Sequence, residues 1–178
     1  MPVVTYKEPM PTRASKANVS SFAEQMARYV NYEPEAPIEI LVSKLGGAIA
    51  YRNAVGDKPE SIVVEPNGSF KIFLPTMTSM GRDKFTVAHE LGHFYLHFPM
   101  IHKADPAAGM KAYRWVEDNN PDLQRCEWEA NWFAASFVMP TELFRRLYEE
   151  GGKSKVAEVL GVSPKAAEVR AGSLGLAA

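Results

Sequence analysis

All four histidines of this chain, His89, His93, His97 and His102, fall within one 14-residue window. The segment that holds them, Arg82 to about Phe98, has helical periodicity, with Phe85, Ala88, Leu91 and Tyr95 on a side that can be buried. Inside it stands His89-Glu90-Leu91-Gly92-His93, an H-E-x-x-H pattern. Residues four apart lie one helical turn above each other, so both imidazoles can reach one metal ion from the same side. Glu90 points about 100° away from His89 and can lean over a water at that ion without ligating it. Such a helix has to meet another element closely. Gly92 in mid-helix costs roughly 1 kcal/mol relative to alanine, which fits a tight neighbour there.

A catalytic zinc takes three protein ligands and keeps one position for water. The longer pattern H-E-x-x-H-x-x-G-x-x-H fails, because Leu96 stands where glycine belongs and Pro99 where a third histidine belongs. His97 continues the same helix, but three ligands from consecutive turns of one straight helix cannot converge, so it reads as a support behind a ligand or as structural. His102 is a minor candidate. A second helical run, Asp122 to Met139, offers a better third ligand: Glu127, Asn131 and Ala134 share one face, and Ala130 and Ala134 are small enough for close approach. Glu127 would ligate while the Asn131 amide oxygen accepts a hydrogen bond from the outer nitrogen of a ligating histidine. Glu129, about 200° around from Glu127, reads as solvated. The bland alternative is a pair of histidines with a salt-bridging Glu90 and an exposed Glu127 on an ordinary amphipathic helix.

The rest of the chain reads as α+β. Residues 1–16, with Pro2, Pro9 and Pro11, read as a flexible, extended or disordered arm. A main domain over 17–140 follows, and then a helical segment, 141–178, packed on it. A helix over 19–31 is expected, capped by Ser20 or Ser21, with Phe22, Met26, Tyr29 and Val30 on one face. A short helix over Ile38 to Leu45 leads to a strand, Ala48 to Tyr51. Two more strands, Ser61 to Glu65 and Ser69 to Leu74, flank Pro66-Asn67-Gly68, a strong hairpin signal that suggests a small antiparallel sheet. Pro99 to Pro121 reads as a long loop carrying Tyr113, Arg114 and Trp115. After Thr141 a helix runs to Glu150, Gly151-Gly152 ends it, and two helical stretches joined by Gly161-Val162 follow, helix-turn-helix-like in pattern.

With 20 Lys and Arg against 21 Asp and Glu, the net charge of −1 gives no bulk pull toward nucleic acid or anionic lipid. The last segment, from Thr141 on, holds six basic and five acidic residues, which argues against direct DNA contact. One cysteine, Cys126, excludes an intrachain disulfide framework and fits a reducing, cytoplasmic location. No apolar stretch approaches the roughly 20 residues of a membrane-spanning helix.

Two blocks resemble the ImmA/IrrE family of zincin-like metallopeptidases: Phe85-Thr86-Val87-Ala88-His89-Glu90-Leu91-Gly92-His93-Phe94-Tyr95-Leu96-His97, and Glu127 with Ala130-Asn131, Phe133-Ala134-Ala135 and Phe137-Val138-Met139-Pro140. The resemblance implies a mostly helical zincin-like domain with one zinc per chain on His89, His93 and Glu127, and Glu90 as general base. It also implies proteolysis of a protein partner, often a helix-turn-helix repressor, in prophage, mobile-element or stress-response control. Relatives also occur beside toxin–antitoxin partners. With Ala178 as the last residue, the sensor domain of the radiation-response members is expected to be absent. A second reading is a regulatory or antitoxin-like binding module that keeps the fold without proteolysis. For hydrolysis, an extended substrate is expected against an edge strand near Ser69 to Leu74, with Tyr113, Arg114 or His102 donating to the oxyanion.

Overall fold

The computed structural model describes residues 3–53, 56 and 58–176. Helix α1 (Lys16–Tyr29) starts where the Ser15 hydroxyl accepts the Asn18 amide at 3.2 Å, earlier than Ser20 or Ser21. Its buried residues are Val19, Ala23 and Ala27, whereas Tyr29 faces solvent. Small side chains thus form the contact, and the larger Phe22 and Met26 flank it. Helix α2 (Ile38–Lys44) follows Pro37 and ends at Leu45 and the positive-φ Gly46.

Five strands, β1 (Tyr6–Lys7), β2 (Gly47–Tyr51), β3 (Glu60–Val64), β4 (Phe70–Leu74) and β5 (Gly109–Tyr113), form one sheet in the order β1-β5-β3-β4-β2. The β3–β4 hairpin turns at Pro66-Asn67-Gly68, with Gly68 at φ +85° donating to the Glu65 carbonyl at 2.9 Å. The sheet is mixed rather than antiparallel. β3 is antiparallel to β4 and β5, but β2 lies parallel to β4 and β1 parallel to β5, because both outer strands arrive through long connections instead of hairpins. β4 is therefore interior, and the expected substrate edge at Ser69–Leu74 is already covered by β2.

Two further expectations are corrected. Residues 99–121 are not one long loop: helix α3 (Met80–Gly92) runs through a π turn at His93–His97 into α4 (Phe98–Ala104), and β5 follows. Pro99 sits in the first turn of α4, where a missing amide proton costs little. The arm is tied to the sheet over its described residues: Tyr6 and Lys7 pair with Gly109 and Met110, and Pro9 is buried. Pro2 lies outside the described residues.

Helix α5 (Pro121–Val138), capped by Asn120, packs against both α1 and α3. Helix α6 (Thr141–Leu160) is broken at Gly151–Gly152, and α7 (Pro164–Ser173) folds back through Gly161 at φ +63°. No described helix is long and apolar enough to cross a membrane.

The contact that sets the site is the crossing of α3 and α5. A Cβ added to Gly92 would lie 3.0 Å from the Ala130 Cα and 3.1 Å from the Ala130 carbonyl oxygen. The neighbour is backbone, which cannot swing aside as a side-chain tip can. Helix propensity alone predicts that Gly92→Ala stabilises by about 1 kcal/mol. The crossing predicts the reverse, a loss of about 1–2 kcal/mol in urea unfolding, as overpacking brings. A gain would contradict the tight approach.

Candidate metal centre

The close crossing brings one face of α3 against one face of α5. His89 and His93 stand on the first, Glu127 and Asn131 on the second. The ligand atoms of His89, His93 and Glu127 lie within 4.8 Å of one another. The two histidine Nε2 atoms are 3.2 Å apart, and the Glu127 carboxylate reaches His89 Nε2 at 3.2 Å and His93 Nε2 at 3.1 Å. Two imidazole nitrogens and a carboxylate oxygen are a donor set that zinc takes, with a fourth position left over.

The outer nitrogens fit that assignment. His89 Nδ1 is 2.9 Å from the Asn131 amide oxygen, and His93 Nδ1 is 2.9 Å from His97 Nδ1. When each outer nitrogen carries a proton and donates it, each Nε2 lone pair is free for a metal ion. His97 Nε2 lies 3.0 Å from Glu129 Oε2, so His97 accepts from His93 and donates to Glu129 in one consistent chain of tautomers. His97 is thus behind His93, and not among the three side chains whose ligand atoms converge.

Glu129 is where the sequence reading fails. It is fully buried rather than solvated, and it accepts from the Thr12 amide and hydroxyl at 2.9 Å, the Arg13 amide at 2.8 Å and Arg125 Nε at 3.0 Å. The N-terminal segment therefore supplies donors to the support of a metal-site histidine 80 residues away. No local signal in the sequence marks Thr12 or Arg13 for this, because backbone amides supply two of the donors.

Burial raises the Glu90 carboxyl to about 7, with the Glu127 charge adding to the effect and His89 and the Ser61 hydrogen bond opposing it. Ser61 Oγ on β3 donates to Glu90 Oε2 at 3.0 Å, a contact that the sequence does not announce. Burial pulls His89 down, but Glu127 and Glu90 outweigh it and leave the imidazole raised to about 9. Burial dominates at His93, which falls to about 4. Burial would raise Glu127, yet hydrogen bonds to His89 and His93 hold it far below the ordinary carboxylate range. Cys126 is fully buried and its thiol is pushed up to about 12 by burial, so it offers neither ligand nor nucleophile.

A cleft of about 200 Å³ opens over these groups, lined by Ser61, Phe85, Thr86, His89, Glu90, Tyr113, Arg114, Glu127 and Asn131. Tyr113 ends β5, and Arg114 is held by donating from Nη2 to the Phe73 carbonyl at 2.8 Å. Two of the three oxyanion candidates thus stand at the cleft. His102, exposed on α4 and packed against Phe98, is not among its lining residues.

A family model described as the IrrE N-terminal-like domain, Peptidase M78, matches residues 57–171. No curated protein matches. Among solved structures, a Mycobacterium tuberculosis transcriptional regulator is similar at 17% identity and a TM-score of 0.57. The alignment covers 86% of this chain but 46% of that one, so this chain spans less than half the length of its structural relative.

Glu129 gives a pH test of the support chain. Burial would raise its carboxyl, but His97, the arm amides and Arg125 hold it at about 2 in the fold, against an ordinary 4.5. Its contribution is fully present above pH 4.5 and is lost as pH falls toward 2, on the order of 3 kcal/mol in all. In urea unfolding of chelator-treated protein between pH 6 and 2.5, Glu129→Gln should remove that share of the acid loss. Identical acid slopes would contradict the assignment.

Proposed function

Because the chain belongs to the IrrE N-terminal-like family of M78 peptidases, we propose that it is a zinc-dependent endopeptidase with a zincin-like site. The observation that carries this is the convergence of His89, His93 and Glu127 beside a buried, unligated Glu90 at the floor of one open cleft. Zinc held by the three ligands, one ion per chain, would supply Lewis acidity toward a water and a peptide carbonyl.

The chain's own groups account for the rest. Glu90 takes the proton of the attacking water, and a carboxyl raised to about 7 can give it back to the leaving amine. Ser61 fixes the carboxylate by donating to Oε2 and leaves Oε1 for the cleft. Tyr113 and Arg114 face the same space and are the donors available to an oxygen that gains charge. The substrate strand adds to β5 instead of β4. Beyond Met110, β1 no longer pairs with β5, so among the described residues no strand pairs with Lys111–Tyr113 on that side, and this stretch ends at the cleft.

The substrate class is a protein partner, and a helix-turn-helix repressor fits the family resemblance. The structural likeness to a transcriptional regulator supports a regulatory setting. The final helical pair is read as packing and partner-holding. Val156, Leu160, Ala167 and Ala171 are buried in the core, and Glu168 pairs with Lys153 and Lys165 instead of leaving a basic stripe for DNA. A cytoplasmic location is consistent with the single buried cysteine.

Glu90→Gln should lower cleavage of an extended peptide library by about 10²-fold or more while zinc content stays at the wild-type level. Cleavage that persists in a clean Glu90→Gln preparation would refute the general-base role. Zinc bound with no cleavage by wild-type protein would instead favour the regulatory, antitoxin-like binding module.

A further inference from the structure

A second cavity, of about 430 Å³, lies beside the metal cleft. It is formed by α1, α3, α5 and α7, and Phe85 and Asn131 line both spaces, so the two are neighbours on either side of the residue that buttresses His89. Its wall is apolar: Phe85, Trp132, Ala135, Met139, Ala166 and Val169. Val169 is 61% exposed there, an apolar side chain with no cover. The polar residues at the cavity carry one sign of charge. Lys16, Lys165 and Arg170 line it, and no carboxylate does.

The three cations differ in how far they are already satisfied. Arg170 is buried, donating to the Met139 carbonyl and the Thr141 hydroxyl at 3.2 Å each, with Glu24 at 3.9 Å. Lys165 has an exposed ion pair with Glu168 at 3.5 Å, and the Lys16 ammonium has the Ser173 hydroxyl at 3.4 Å. Lys16 and Lys165 each stand in the first turn of a helix, where the unpaired amides of α1 and α7 add further positive potential. An apolar chamber with a cationic rim, beside the cleft proposed to hydrolyse peptides, selects for one kind of chain.

We infer that this cavity is the specificity pocket of the cleft and takes a large apolar side chain next to the cleaved bond, with a carboxylate of the same peptide on Lys16 and Lys165. The inference rests on the hydrolytic reading of the metal cleft for its purpose, but the pocket itself is testable without turnover.

The test has two arms. In the first, zinc-loaded wild-type protein, Ala135→Phe, Ala166→Leu and Lys165→Glu are incubated with a proteome-derived peptide library, and cut sites are read by mass spectrometry. Wild type should favour Leu, Met or Phe beside the cut with Asp or Glu nearby. Filling the chamber from α5 or from α7 should shift the preference toward Ala, Ser and Gly by about tenfold, the scale on which pocket size discriminates. Lys165→Glu should abolish the acidic preference and leave the apolar one. An unchanged profile in both filling variants overturns the pocket.

In the second arm, zinc-loaded Glu90→Gln protein is titrated with fluorescent hexapeptides that carry Phe-Glu, Phe-Lys or Gly-Glu at their centre. Phe-Glu should bind about tenfold tighter than either of the others, and Ala135→Phe should erase its advantage over Gly-Glu. Equal binding of all three peptides overturns the inference even if the library is cut. Selective binding with no cutting by wild-type protein would sustain the pocket and refute the hydrolytic reading.

Discussion

The distance between α3 and α5 governs everything the site can do. Ligands on one helix define only a line; Glu127 turns that line into a three-cornered site, and it does so because glycine on one helix and alanine on the other let the two backbones nearly touch. Side chains of ordinary size at 92 or 130 would push the axes apart. Glu127 would then withdraw from both Nε2 atoms, and Asn131 from His89. Packing and chemistry are thus coupled through the same few atoms.

Behind the ligands, a chain of buried hydrogen bonds runs from His93 through His97 and Glu129 to the backbone of Thr12 and Arg13. A buried carboxylate is costly unless every lone pair finds a donor. Here the donors come from the π turn, from α5 itself and from the N-terminal segment, so ordering that segment and holding His93 in one tautomer are parts of the same arrangement. The π turn at His93–His97 belongs to it as well, since it leads the helix into α4 while His97 turns inward to Glu129.

Much of this was readable in the residues. Spacing of four in a helix makes His89 and His93 neighbours whatever the tertiary fold, and the same rule aligns Glu127 with Asn131. Gly92 announced a close approach, and Asn67-Gly68 a hairpin. What escaped was non-local. Glu129 looked solvated because helical angle says only which way a residue points, not whether another segment covers it. The arm looked disordered because its prolines exclude a helix, yet they permit an extended strand along a sheet edge. Strand order is likewise invisible in the residues: nothing local marks that β2 covers β4, and β5 lies within a stretch whose residues read as loop.

The central claim is that three side chains from two helices make one zinc site. Elemental mass spectrometry of purified wild-type protein, with His93→Ala and Glu127→Ala beside it, addresses that directly. The account predicts about one zinc per wild-type chain and a large loss in each variant, with folding checked by circular dichroism. Wild-type protein that stays metal-free after zinc addition, or a folded Glu127→Ala protein that holds zinc as tightly as wild type, would contradict it.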